Sequence, residues 1–142
     1  MDATLLNKVR KSLIKHEGYS NFPYKDSLGQ TTIGIGYNLS SRGLPDEWIN
    51  TQFVEDVVFF YDSMIRDYSW FKDLNPDRQI VLCDMAFMGY KKFQAFALML
   101  NALSQGNYKQ AAMEMLDSQW AIQVGNRAKD LANGMLTGVY DV

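Results

Sequence analysis

From residue 19 to residue 39 this chain abandons helical patterning, and on both sides it keeps to it. The interruption is made of aromatics, threonines, isoleucines and glycines, and Thr31-Thr32-Ile33-Gly34-Ile35-Gly36-Tyr37 alternates as a strand does. Ser27-Leu28-Gly29 reads as a hairpin turn, since glycine takes a positive φ at no steric cost. Tyr24-Lys25-Asp26 is then the partner strand. A small hairpin among helices makes the expected fold α+β and mainly α.

The flanks read as helices. Leu5, Val9 and Leu13, with Leu6 and Ile14 beside them, mark one apolar face over residues 2–16, and Gly18 is the expected stop. Pro45 suits a first helical turn, with Asp46 and Glu47 at the favourable end of the helix dipole. A helix from there to Tyr68 would be ~35 Å long at 1.5 Å per residue. Further helices are expected over 76–88, 92–104, 108–117 and 125–136, with Gly106 and Asn107 as a break. The layout is an N-terminal α+β lobe (1–44), a connecting helix (45–70) and an all-helical C-terminal lobe (71–142). The methionines fall mostly at core spacing, and Cys83 and Trp120 are expected in the core.

Composition narrows the function. The chain has 142 residues and a formal net charge of −2, so no overall positive field gathers phosphates, which argues against a nucleic-acid binder. One cysteine and one histidine exclude a disulfide framework and a zinc site of several His and Cys ligands. The N-terminus lacks the basic flank and apolar run of a secretory signal, and no apolar stretch approaches the roughly 20 residues of a membrane span. The expectation is a soluble protein made in a cytoplasm, which another protein must release if its target lies outside.

The interrupted segment also gathers the chemistry, as Glu17, eight residues, Asp26, five residues, Thr32. A carboxylate at a helix C-terminus meets the negative end of the dipole, which favours the protonated form a general acid needs. With a three-residue loop, Asp26 opposes Gln30 and has Thr32 as its diagonal neighbour on the same face. Diagonal neighbours lie ~7–8 Å apart, leaving room for a water between their tips. Gly34 and Gly36 are expected on that face too, leaving it bare for an extended polar chain such as a glycan. A loop of two or four residues would put Asp26 and Thr32 on opposite faces. Taken singly, each residue has a blander reading: a solvated Glu17, a turn-starting Asp26, a tightly packed Gly-Ile-Gly. Two carboxyls flanking a cleft point to glycoside hydrolysis.

Glu17-Gly18-Tyr19, Tyr24-Lys25-Asp26 and Gly29-Gln30-Thr31-Thr32-Ile33-Gly34-Ile35-Gly36 closely resemble the active-site segment of phage-type lysozymes, the endolysins of T-even phages and relatives, glycoside hydrolase family 24. Asp84-Met85-Ala86-Phe87 resembles that family's central C-lobe helix. Ser118-Gln119-Trp120, Asn126-Arg127-Ala128-Lys129 and Thr137-Gly138 resemble its C-terminal signature, so the likeness runs from about Leu5 to Gly138. The resemblance implies a lysozyme-like fold and inverting hydrolysis of the β-1,4 bond between N-acetylmuramic acid and N-acetylglucosamine in peptidoglycan. Glu17 matches the general acid, Asp26 the second carboxylate that positions water, and Thr32 the threonine that holds it. Arg127 matches an arginine that the family places near the acid, as a catalytic aid or a structural tie between lobes.

Tyr37 stands where some relatives have a histidine paired with an aspartate on the long helix, and Asp56 is the candidate aspartate, with the Tyr37 hydroxyl replacing an ion pair. The link from the hairpin to the long helix is short, so the small helix of the T-even enzymes is expected to be absent. The resemblance further implies a monomeric endolysin with no metal or organic cofactor. It would act on periplasmic glycan strands after release from the host bacterial cytoplasm through a holin-like pore, without stable membrane insertion. The alternatives are a non-catalytic wall-binding or virion component, and a lytic transglycosylase or chitinase on the same fold.

Overall fold

The computed structural model describes every residue from Met1 to Val142. The fold is α+β and mainly helical, with a three-stranded antiparallel sheet near the N-terminus and helices through the rest, consistent with the lysozyme-like architecture expected. Two compact units form, Met1–Gln52 and Phe53–Val142, and the division falls inside the longest helix.

In the first unit, α1 spans Ala3–Glu17. The Asp2 carboxylate accepts the Leu5 N–H at 2.8 Å and so satisfies a donor left free at the helix start. Gly18, at φ +83°, ends the helix, and its N–H donates to Ile14 O at 2.9 Å. Glu17 is thus the last helical residue. None of the α1 residues is buried.

The sheet runs β1 (Ser20–Lys25), β2 (Thr31–Gly34), β3 (Tyr37–Asn38) in chain order. Tyr24 opposes Thr32 and Lys25 opposes Thr31, and the Asp26 N–H donates to Gln30 O at 3.0 Å. The loop is therefore Ser27-Leu28-Gly29, three residues, as the site geometry requires. β1 bulges between Ser20 and Tyr24, where Pro23 has no N–H to give the ladder. The Ser20 hydroxyl closes that bulge, accepting from the Phe22 N–H and donating to Phe22 O.

Two expectations for this unit need correction. The alternating run 31–37 is not one strand. Gly34 and Gly36 take φ of +65° and +67°, which turns the chain back so that Tyr37 pairs with Ile33 and Asn38 with Thr32. Gly36 therefore does not extend the face that carries Thr32. The short link also keeps a helical turn, α2 (Leu39–Arg42), because the Asn38 side chain accepts the Ser41 N–H and caps it.

The longest helix, α3, spans Asp46–Asp67. A 3-10 turn at Phe71–Asp73 leads to α4 (Pro76–Ala86), α5 (Tyr90–Gln94), α6 (Ala97–Ser104), α7 (Tyr108–Leu116), α8 (Gln119–Val124) and α9 (Asn126–Thr137). The single helix expected over 92–104 is broken. Phe96, at ψ +59°, leaves the helical region between two pieces. The break allows Phe93 to be fully buried and Phe96 to meet the Trp120 ring edge-on at 6.1 Å. No periodic pattern announces α8, which is a six-residue helix capped by the Ser118 hydroxyl.

The core of the second unit lies among α4, α6, α7 and α9, with α9 packed against α4, α7 and α8. Met64, Met85, Met99, Met115 and Met135 are fully buried, as their spacing predicts. Trp120 is buried as expected, and its indole N–H has no acceptor. Cys83 is only half-buried, packed against the core rather than within it, and burial pushes its thiol up to about 11. No helix is long and apolar enough to cross a membrane.

Candidate active site

Glu17, Asp26 and Thr32 all belong to the first unit. Pairing fixes which of their neighbours share a face. Tyr24 lies directly opposite Thr32, and Asp26 is two residues along the same strand direction, so the side chains of Tyr24, Asp26 and Thr32 project from one face of the hairpin. Lys25 and Thr31 take the other face, where the Lys25 ammonium donates to Thr31 Oγ1 at 2.7 Å. Tyr24 then connects that face to the acid, because its hydroxyl donates to Glu17 O at 2.8 Å.

The side chain of Glu17 is exposed, and its stem rests on bare backbone. A Cβ built on Gly36 would stand 3.0 Å from both Cβ and Cγ of Glu17. Gly36 thus fits its place for two reasons, its positive φ and this close approach.

Asp26 Oδ1 accepts two backbone hydrogen bonds, from Leu28 N at 2.9 Å and Gln30 N at 2.8 Å. The same contacts that make Asp26 a turn residue hold its carboxylate still, so the bland and the functional readings coexist in one geometry. Thr32 is only 4 % exposed, and its hydroxyl donates to Gln30 O at 3.1 Å. The expected open face is closed at this position. The hydroxyl has spent its only hydrogen and keeps lone pairs to accept one.

The supporting candidates other than Gly36 are Tyr37, Asp56 and Arg127. Tyr37 donates its single hydroxyl proton to Gly43 O at 2.7 Å. Its ring lies 5.1 Å from Trp48 and carries the Arg42 guanidinium at 4.2 Å, which makes it a packing centre for the chain after β3. Asp56 lies on α3 in the second unit, as does Arg127 on α9. Arg127 is held by Asp84 of α4, with Nε and Nη2 donating to Oδ1 at 2.9 and 2.7 Å and Nη2 also to the Asp84 carbonyl at 2.8 Å. The second unit has a cleft of about 720 Å³ with Phe96, Trp120, Glu114 and Arg127 in its wall, and a more apolar one of about 600 Å³ beside Phe53, Ile80 and Cys83.

No protein-family model matches the chain. A search of curated proteins finds a relative described as "Probable T4-type lysozyme 1" from Dictyostelium discoideum. The two are 24% identical over 164 aligned residues, spanning 94% of this chain and 96% of the relative. The chain is similar to this relative over nearly its whole length. That likeness agrees with the fold and supports a lysozyme-like hydrolase.

Two residues of the arrangement carried no role in the sequence reading. Tyr24 stands two residues before Asp26, and strand alternation was the available signal that both share a face. Asp84 had no such signal, because its partner Arg127 lies 43 residues away.

Proposed function

We propose that this protein is a muramidase that hydrolyses the β-1,4 glycosidic bond of peptidoglycan, with Glu17 as general acid and a water held by Asp26 and Thr32 as nucleophile. The observation that carries the reading is the three-residue loop, which puts Asp26 and Thr32 on one face, each with a spare acceptor. Asp26 Oδ1 is occupied by two N–H groups, so Oδ2 is the oxygen that meets a water. Thr32 has given its hydrogen to Gln30 O and accepts only. A water between them directs both hydrogens to these acceptors and keeps a lone pair for the anomeric carbon. The depth of Thr32 suits a small molecule such as water better than a sugar ring.

Glu17 gives its proton to the leaving oxygen as the bond lengthens, and the Asp26 carboxylate takes a proton from the attacking water while it offsets positive charge on the ring. Attack by water on the face opposite the leaving group inverts the anomeric centre. The cellular setting that goes with this reading is lysis of a bacterial host, with the enzyme reaching the wall through a holin-like pore.

Glu17→Gln keeps the shape and removes the proton, so clearing of permeabilised Gram-negative cells should fall by about a hundred- to ten-thousandfold, the scale of a lost general acid. Asp26→Asn should lose most activity as well. Mass spectrometry of digested peptidoglycan separates the chemistries: a reducing muramic end is the expected product. A 1,6-anhydro end would instead mean a transglycosylase, and intact glycan a binding module.

A further inference from the structure

Glu17 is gripped at two points by elements that also carry the water-holding pair. Its carbonyl is one of the acceptors that a helix C-terminus leaves without an internal partner, and the Tyr24 hydroxyl supplies the missing donor at 2.8 Å. Its stem meets Gly36, at the turn between β2 and β3. Tyr24 is directly opposite Thr32 and two residues from Asp26. One rigid side chain therefore spans from the backbone of the acid to the strand pair that holds the other two groups.

We infer that Tyr24 is a positioning residue, which sets the distance from Glu17 to the Asp26 and Thr32 pair through its hydrogen bond to the Glu17 carbonyl, with Gly36 as the opposing stop. The inference rests on the muramidase reading. A phenol is suited to this task because its hydroxyl lies at the end of a ring with few rotatable bonds, so the length of the strut hardly varies. Without the hydroxyl, the last turn of α1 loses a directional tie to the sheet, and the acid samples positions away from the glycosidic oxygen. A misplacement of about 1 Å in such a group costs up to about a hundredfold in rate.

The test is steady-state hydrolysis of soluble peptidoglycan fragments by wild type, Tyr24→Phe, Glu17→Gln and the double variant, at a temperature where thermal melts show each fully folded. Tyr24→Phe is expected to lower kcat by about ten- to a hundredfold with KM changed less than about twofold, because the ring stays and only the strut is cut. In the Glu17→Gln background the same change should cost nothing further. A Tyr24→Phe enzyme with wild-type kcat overturns the inference, as does a loss that is equally large in both backgrounds. If Glu17→Gln itself is fully active, the muramidase reading fails instead. Should Tyr24→Phe be unfolded at every temperature at which wild type is active, Gly36→Ala read the same way tests the opposing contact, with lower kcat expected and unchanged kcat overturning the two-point grip.

Discussion

Single residues in the first unit do two jobs with one set of bonds. Asp26 is a turn residue and a candidate catalytic carboxylate, and the two N–H groups on Oδ1 serve both. The turn also depends on Gly29, whose φ is +75° and whose missing Cβ would touch nothing within 4 Å. Gly29→Ala therefore isolates backbone strain from crowding. It should cost about 1–2 kcal/mol, the penalty of an L-residue in the left-handed region, read as a lower urea midpoint with unchanged slope. At this scale the sequence was legible, because turn chemistry acts within four residues. It did not reveal the depth of Thr32, which follows from pairing on both sides, to Tyr24 and to Asn38.

At the scale of elements, the end of α3 is tied to the start of α5. Arg66 donates to both oxygens of Asp67, at 2.8 and 3.0 Å, and the Tyr90 hydroxyl donates to Oδ2 at 2.8 Å. The hydrogen bond from Arg66, then that from Tyr90, hold the Asp67 carboxyl below the usual carboxylate range, while burial and the Asp67 contact push the Tyr90 phenol up. A carboxyl whose folded-state value is lowered adds stability above its unfolded value of about 3.9 and loses it as pH falls through the folded one. Asp67→Asn should therefore melt below wild type near pH 6, and the gap should close on acidification below about pH 4. Thermal melts across pH 3–7 measure it. Helix existence was legible from periodicity here, but helix continuity was not. Phe93 and Phe96 fit one helical stripe on paper, but Phe93 is fully buried while Phe96 is half-buried against the Trp120 ring, on either side of the break between α5 and α6.

For the molecule as a whole, the hydrophobic core and the candidate site fall in different units. The methionine-rich core belongs to Phe53–Val142, while Glu17, Asp26 and Thr32 belong to Met1–Gln52. Leu82 is fully buried in that core. Leu82→Ala should cost about 2–5 kcal/mol through lost transfer energy and the cavity left behind. Calorimetry together with exchange protection of α4 and α9 amides measures it, and the loss should appear in those helices rather than in the β1–β2 hairpin amides.

The sequence by itself determined the ends of α1 and the long α3, that a turn around Gly29 joins two strands, and that an acid, a second carboxylate and a threonine fall within sixteen residues of one another in chain order. These depend on caps, positive-φ glycines and strand alternation, which act through the backbone over a few residues. Only the tertiary structure decided that Tyr24 reaches the Glu17 carbonyl, that Tyr37 serves Gly43, and that Arg127 is claimed by Asp84. A hydroxyl or a guanidinium has several chemically equal acceptors along any chain. Which one it takes is set by the packing that brings one of them within about 3 Å, and that packing is a property of the whole fold.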